Sequence, residues 1–190
     1  MIQINHKENR LPLELLTDKM TLLYDSSNEL KQDNIIQLLK HYKEEKYYGI
    51  LGRDNNMIPF LSISDNLLLN ISKKSKKDFL KNLQYFLEQF KLDSLTLNKA
   101  ASSLTNYEQL VLQISRGIIL NQTIILFDHH QNNIDSEKFL INIMPILSRI
   151  AHQKNATIVI CTSNIEVAKS PYYDQCLLLS ELFSNQSKLN

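Results

Sequence analysis

The sequence predicts an α/β protein with a mostly parallel central sheet that is flanked by helices. Two short apolar runs, 124–127 and 156–161, contain β-branched residues and are typical of strands buried on both faces. Between and before these runs, apolar residues recur at helical spacing, as they do in 110–118 and 139–150. Buried strands that alternate with helices favour a layered α/β architecture.

Length and composition describe an ordinary globular domain. The chain has 190 residues, which predicts one domain with a sizeable core, and no apolar run is long enough to cross a bilayer. Its net charge of +1 gives no reason to expect nucleic acid or a membrane surface as a partner. The polar N-terminus argues against a signal peptide. Cys161 and Cys176 lie in or beside apolar runs, and we expect both to be reduced core residues of a cytosolic protein.

Glycine is unusually rare. The chain has three glycines, Gly49, Gly52 and Gly117, where average usage of about 7% would give roughly thirteen. Loops that hold phosphate use glycine to bring backbone N–H groups close to the anion. The chain therefore has little means of building an ordinary phosphate-binding loop.

The remaining elements follow from the same patterns. A short edge strand is predicted at 1–4, and Pro145 predicts a kink or a break in the helix that begins at Ser136. The basic segment 72–77 is interpreted as a solvated turn rather than a nucleic-acid contact, and the apolar stripe from Phe79 to Phe90 as core. The other predicted elements are strands at 20–24, 47–51 and 176–179, and helices at 33–45, within 64–92, at 136–152 and at 165–168.

The segment 104–135 contains the most informative pattern. Thr105 and Glu108 form a capping box, which predicts a helix that starts near Asn106. An apolar strand follows and ends just before Asp128. Ligands bind beyond the carboxyl ends of parallel strands, so a carboxylate at this point is well placed to hold a metal ion or a polarised water.

This segment resembles the signature and Walker B region of ABC-type ATPases, the nucleotide-binding domains of ABC transporters. That family has Leu-Ser-Gly-Gly-Gln/Glu, an Ala-Arg pair, an apolar strand that ends in Asp-Glu-Pro, and a D-loop that ends in Leu-Asp. The corresponding residues here, aligned without a gap, are Leu104, Thr105, Asn106, Tyr107 and Glu108, then Ser115-Arg116, Asp128-His129-His130 and Ile134-Asp135.

The resemblance implies a P-loop NTPase-like fold in a single domain, 1–190. It implies a small helical subdomain at about 64–106 and an N-terminal antiparallel part that is truncated here. The tail from 184 to 190 is expected to be disordered.

The loop 25–32 has the length of the family's Walker A loop. Lys31 stands at the Walker lysine, while Asp25 and Leu30 replace glycines and Gln32 replaces the hydroxyl residue. The resemblance implies that Lys31 and Gln32 contact nucleotide. The alternative is a polar surface turn with a solvated lysine.

Four further positions carry roles that the resemblance implies. Arg53 stands at the Q-loop glutamine, where it would bind phosphate or form a surface ion pair, and Ser163 stands at the histidine that contacts the γ-phosphate. Asp128 would hold Mg²⁺ through water, and Asp135 would act in the dimer contact.

His129 occupies the position of the family's catalytic glutamate. A neutral imidazole serves as a general base near pH 7, so His129 is the candidate catalytic residue.

The resulting hypothesis is a degenerate ATP-binding-cassette subunit of an ABC-type transport system. It would be catalytically impaired and would act as a coupling, scaffold or regulatory partner, with ATP and Mg²⁺ as the implied cofactors. Its partners would be ABC transporter membrane subunits, an active ATPase subunit, or both, in a homo- or heterodimer. It would be cytoplasmic, reaching the inner face of the membrane only through partner proteins. The alternatives are a weak autonomous ATPase that uses Asp128 and His129, and a protein-binding module that no longer binds nucleotide.

Overall fold

The computed structural model describes residues 16–25, 48–51, 57–92, 95–127 and 136–179. Five strands and five α-helices fall within these ranges. The strands are β1 (Met20–Tyr24), β2 (Tyr48–Leu51), β3 (Thr123–Phe127), β4 (Ile158–Thr162) and β5 (Gln175–Leu178). The helices are α1 (Ile63–Leu67), α2 (Lys76–Gln89), α3 (Asn106–Ile119), α4 (Ser136–Lys154) and α5 (Ile165–Ala168), with a short 3-10 turn at Ala101–Ser103.

The five strands form one sheet in the order β2-β3-β4-β1-β5, and every neighbouring pair is parallel. The central strand is β4: Ile160 aligns with Leu22 of β1 on one side and with Leu126 of β3 on the other. The carboxyl ends of β1, β4 and β3 therefore lie side by side at one edge of the sheet.

Apolar clusters among the described residues stabilise the fold. The main one joins the sheet to α3 and α4, and the second joins α1, α2 and α3. Helix α3 contributes to both, since Val111 and Ile114 pack in the main cluster while Leu112 packs in the second. The apolar residues of α3 recur on two sides of the helix, so it ties the helical segment 63–90 to the sheet.

Most predicted elements in the described ranges are confirmed. Helix α3 starts at Asn106 behind a capping box, and α5 has the predicted bounds. The predicted buried strand is confirmed at Ile124, Ile125 and Leu126, which are at most 2% exposed. The stripe on α2 is core at five positions and is exposed at Leu80.

The sequence predicted a kink or a break at Pro145; the break does not occur, and the kink stays a prediction. Helix α4 runs from Ser136 to Lys154 through Pro145. Proline removes one backbone donor, but neighbouring Met144 and Leu147 are fully buried in the main cluster. Tertiary packing thus holds the helix where local preference would interrupt it.

The prediction that both cysteines are core residues is half wrong. Both are free thiols, and Cys161 is fully buried in β4, where burial raises the pKa of its thiol. Cys176 is exposed, as is Leu178, which points to the same face of β5.

Several predictions lie outside the described residues: the strand at 1–4, most of the loop 25–32, the helix at 33–45, the strand-end motif 128–135 and the tail. Among the described residues, no helix combines the length and the apolar character needed to span a bilayer.

Candidate functional site

The candidate site is the edge where β1, β4 and β3 end. Tyr24 aligns with Thr162, and Phe127 aligns with Cys161, so three neighbouring strands end within one residue of each other. Asp25 and Ser163 follow directly in the sequence. Loops that follow such strands form the crevice in which open parallel sheets bind ligands.

Asp25 lies at this edge and is only 6% exposed. Its backbone N–H donates to the carbonyl of Thr162 at 3.0 Å, which extends the β1–β4 ladder by one residue. The residue that opens the predicted phosphate loop is therefore a buried acid. An ionised carboxyl group here repels a phosphate that approaches the end of β1.

The turn after β4 is held by local side-chain caps. Thr162 Oγ1 accepts from Asn164 N at 2.9 Å, and Asn164 Oδ1 accepts from Glu166 N at 2.8 Å, which caps α5. Ser163 lies between them and is partly exposed. Its hydroxyl group can donate one hydrogen bond to an anion, but it lacks the positive charge that a protonated imidazole supplies.

The signature-like segment forms the start of α3. Thr105 Oγ1 accepts from Glu108 N at 3.2 Å, and Glu108 Oε2 accepts from Thr105 N at 2.7 Å. The Thr105 hydroxyl also donates to Glu108 Oε2 at 2.8 Å. The Glu108 carboxylate thus accepts from two donors at the positive end of the helix.

Tyr107 occupies the place of the second signature glycine, and its ring turns back onto the protein. Its hydroxyl group donates to the carbonyl of Phe90 at 3.3 Å, and burial raises the pKa of the phenol. Leu104 is 8% exposed and packs in the second cluster, while Asn106 is exposed. The segment keeps its helix-start geometry, but two larger side chains replace the open backbone of paired glycines.

Arg116 connects α3 to the end of α1. Its Nε donates to the carbonyl of Leu67 at 3.0 Å, and a terminal nitrogen donates to the carbonyl of Leu69 at 2.8 Å. Burial lowers the pKa of the guanidinium group, which stays protonated at neutral pH. Arg116 therefore has a structural role in orienting the helical segment.

The structure describes only some of the predicted site residues. Leu104, Thr105, Asn106, Tyr107 and Glu108 are contiguous at the start of α3, and Ser163 lies at the end of β4. The other predicted site residues lie outside the described ranges: Lys31, Gln32, Arg53, Asp128, His129 and Asp135.

Two residues at the sheet edge were not predicted as site residues, Asp25 and Asn164. Asn164 Nδ2 is buried and has no hydrogen-bond partner in the described structure. The sequence signal for Asn164 was its position before the short helix α5, since asparagine is a favoured N-cap. Within the described ranges, no group of three or more His, Cys, Asp or Glu side chains is arranged to hold a metal ion.

Comparison with known proteins identifies relatives in one class. The chain is 32% identical over 126 residues to the phosphonates import ATP-binding protein PhnC of Fusobacterium nucleatum, which covers 66% of this chain and 49% of that protein. It is 27% identical over 149 residues to a probable ABC transporter ATP-binding protein, PEB1C, of Campylobacter jejuni, which covers 76% of this chain and 61% of that protein. The chain thus spans about half to three fifths of the length of these relatives. No model of a known protein family matches it.

Solved structures agree on the fold. The bacterial ABC transporter cassette MJ0796, determined as a dimer, superposes with a TM-score of 0.57 at 17% identity, covering 87% of this chain and 83% of that one. The cbiO1 subunit of the cbiONQ transporter complex from Clostridium perfringens gives a TM-score of 0.61 at 14% identity, covering 87% and 75%.

The parallel sheet, its helical segment and these neighbours define the P-loop NTPase fold as it occurs in ATPase cassettes. The sequence relatives are ABC transporter ATP-binding proteins, so the chain is similar in both sequence and fold to ABC-type nucleotide-binding domains.

Proposed function

We propose that this chain is an ATP-binding-cassette subunit of an ABC-type transport system whose own nucleotide site is impaired. It would act as a coupling, scaffold or regulatory partner. The relatives are named as ABC transporter ATP-binding proteins, which supports the transport role. The impairment is inferred from the chemistry of this chain's residues.

The observation that carries the proposal is the buried acid at the end of β1. A working phosphate loop surrounds the anion with backbone N–H groups and a positive charge. Asp25 instead places a carboxyl group, 6% exposed, where that loop begins. Leu30 stands where the loop needs a glycine for close backbone approach to the anion.

The signature segment supports the same conclusion. In the resembling family, this segment of one subunit contacts the nucleotide held by the other. Here the Glu108 carboxylate already accepts from Thr105 N and Oγ1, and it adds a negative charge at the helix start. A partner subunit that docks against this segment would meet the negative charge of Glu108 at the helix start.

Hydrolysis would depend on the remaining site residues. Asp128 would hold Mg²⁺ through water, His129 would serve as base, and Asp135 would support a dimer contact. Arg53, Gln32 and Ser163 stand where the family has other chemical groups. Mg²⁺ would supply positive charge that stabilises the phosphates. Loss of a single hydrogen-bond donor that stabilises the transition state lowers the rate of hydrolysis by about 10²–10³. Several such losses together predict negligible turnover.

The proposed partners are ABC transporter membrane subunits, an active ATPase subunit, or both. A dimer contact through the start of α3 is consistent with the dimeric neighbour. The proposed location is the cytoplasmic side of the membrane, where these partners would hold the chain.

Steady-state ATP hydrolysis with Mg²⁺ tests the proposed impairment. We expect the wild-type rate to equal that of the Asp128→Asn and His129→Ala variants, because none of the three carries out the reaction efficiently. A wild-type rate that both substitutions abolish would show instead that the chain is an autonomous ATPase.

A further inference from the structure

The turn before α2 and the first turn of α2 carry a dense positive charge. Five lysines, Lys73, Lys74, Lys76, Lys77 and Lys81, lie within nine residues, together with one acidic residue, Asp78. None of the ion pairs in the described part of the chain involves these lysines. All five lysines are exposed or partly exposed, so their charge is presented to whatever lies outside. We refer to these five lysines as the lysine patch.

The lysine patch is unfavourable for the isolated helix. Its members at Lys76 and Lys77 occupy the first turn of α2, where the helix dipole is positive. Ser75 precedes the helix but provides no side-chain cap, because its hydroxyl group is paired with Ser72 Oγ at 2.8 Å. Asp78 lies in the same first turn and offsets one of these positive charges. A helix start that gathers cations at some cost in stability indicates an anionic partner.

Two exposed apolar side chains lie close to the lysine patch in the sequence. Leu69 is 41% exposed in the turn after α1, and Leu80 is 36% exposed one helical turn beyond Lys76. The turn at Leu69 is held firmly, since its carbonyl accepts from Arg116 and Ile71 N donates to the carbonyl of Leu68 at 3.1 Å. Exposed lysines and exposed leucines that are close in sequence form a combination suited to the boundary between lipid headgroups and acyl chains.

We propose that this surface, the lysine patch with Leu69 and Leu80, binds directly to an anionic lipid bilayer. Clusters of four to eight lysines attract anionic headgroups at about 1 kcal/mol each. Lysine provides a hydrated point charge that suits a fluid array of headgroups, and this segment contains no arginine for bidentate contacts to one fixed phosphate. It also lacks aromatic side chains on its exposed side for stacking on nucleic-acid bases. The inference goes beyond the proposed function, in which the membrane is reached only through partner proteins.

Vesicle cosedimentation of the full chain tests the proposal. We expect binding to vesicles of phosphatidylcholine mixed with phosphatidylserine at low salt, and loss of binding at about 1 M salt, where charges are screened within about 3 Å. Vesicles of phosphatidylcholine alone should bind far less. Equal binding to both vesicle types, or none to either, would overturn the proposal.

Paired lysine variants locate the contact. Lys73→Gln with Lys74→Gln should weaken binding about fivefold per lysine, the equivalent of about 1 kcal/mol each. Lys91→Gln with Lys99→Gln removes the same charge from exposed positions outside the lysine patch and should change binding less. Equal losses in the two pairs would show that net charge alone is responsible.

A third pair separates binding from folding. Lys76→Gln with Lys77→Gln removes cations from the positive end of α2, so the melting temperature should stay the same or rise while vesicle binding falls. A fall in both would indicate a structural role. Binding to duplex DNA that exceeds binding to anionic vesicles would assign the surface to nucleic acid and contradict the proposal.

Discussion

Asp174 and Met20 exchange two hydrogen bonds at the amino end of the sheet. Met20 N donates to Asp174 Oδ2 at 2.9 Å, and Asp174 N donates to the carbonyl of Met20 at 2.8 Å. Asp174 Oδ1 also lies 2.8 Å from His152 Nε2 at the end of α4. One aspartate therefore joins the starts of β1 and β5 to the last turn of a helix.

Replacing Asp174 should destabilise the fold. The side chain is only 21% exposed, and Asp174→Ala leaves Met20 N without its acceptor. We expect a loss of about 1–3 kcal/mol in the free energy of unfolding, measured by urea denaturation at pH 7. Glu166→Gln is the matched control, because it removes an exposed pair with Lys169 and should cost less than about 0.5 kcal/mol. Equal losses in the two variants would contradict this assignment.

The same contacts predict a pH dependence. Partial burial raises the pKa of the Asp174 carboxyl. Other effects, stronger in sum, lower it: the hydrogen bond from Met20 N, the hydrogen bond and charge of His152, and the charge of Lys19. The pKa is therefore held below its usual range. A depressed pKa contributes stability above the unfolded value of about 4, and this stability is lost as the pH falls through the folded value. The difference in the free energy of unfolding between wild type and Asp174→Asn should shrink as the pH falls below about 4; a difference that stays constant from about pH 5 down to about pH 2 would exclude the linkage.

Gly117 permits the close approach of α3 to β3. A Cβ at this position would lie far inside van der Waals contact of Ile124 Cδ1, and Ile124 is fully buried. Gly117→Ala gains about 1 kcal/mol of helix propensity but incurs about 1–3 kcal/mol of overpacking, so we expect a net loss.

A double-mutant cycle tests that contact. Ile124→Val removes the Cδ1 atom and should cost about 1 kcal/mol alone. In this background Gly117→Ala should be neutral or stabilising, since the clash has gone. Urea unfolding of the four proteins gives the coupling energy; effects that add to within about 0.3–0.5 kcal/mol would show that the two residues do not compete for space.

Arg116 should control the order of the segment after α1. Arg116→Ala removes two donors to the carbonyls of Leu67 and Leu69, and we expect faster hydrogen exchange at Ile71 N. The free energy of unfolding should fall by about 1–3 kcal/mol in Arg116→Ala. Arg116→Lys should recover only part of this loss, because lysine lacks the planar guanidinium group that donates to two carbonyls. Arg149→Ala, at an exposed position, is the control and should leave exchange unchanged. Unaltered exchange at Ile71 in Arg116→Ala would refute the structural role.

Local sequence signals predicted local structure well. The capping box at Thr105 fixed the start of α3, and the apolar run before Phe127 identified a buried strand, because each signal depends on neighbouring residues. The contact between Asp174 and Met20 joins residues that are 154 positions apart, and the strand order also pairs segments that are distant in the sequence. No local pattern encodes either feature. The exposure of Cys176 could not be predicted for the same reason, since a short apolar run does not distinguish an edge strand from a central one.

The candidate site was predicted less completely. The family resemblance located the start of α3 and Ser163, but the burial of Asp25 depends on how β1 packs beside β4. The internal pairing of Glu108 with Thr105 follows from the capping box. That this pairing places a negative charge at the helix start matters for anion binding only if the helix start forms part of a ligand-binding surface, which local sequence does not encode.

Thermal melting in the presence of ATP and Mg²⁺ tests the impaired site most directly. A competent site stabilises the protein by about 2.7 kcal/mol when ligand is present at 100 times its dissociation constant. We expect no shift for wild type and a positive shift for Asp25→Gly with Leu30→Gly, which restores both loop glycines; Asp18→Gly, at a residue with positive φ, is the matched control. A clear rise in the melting temperature of the wild-type protein, as large as the rise in the double-glycine variant, would contradict the account.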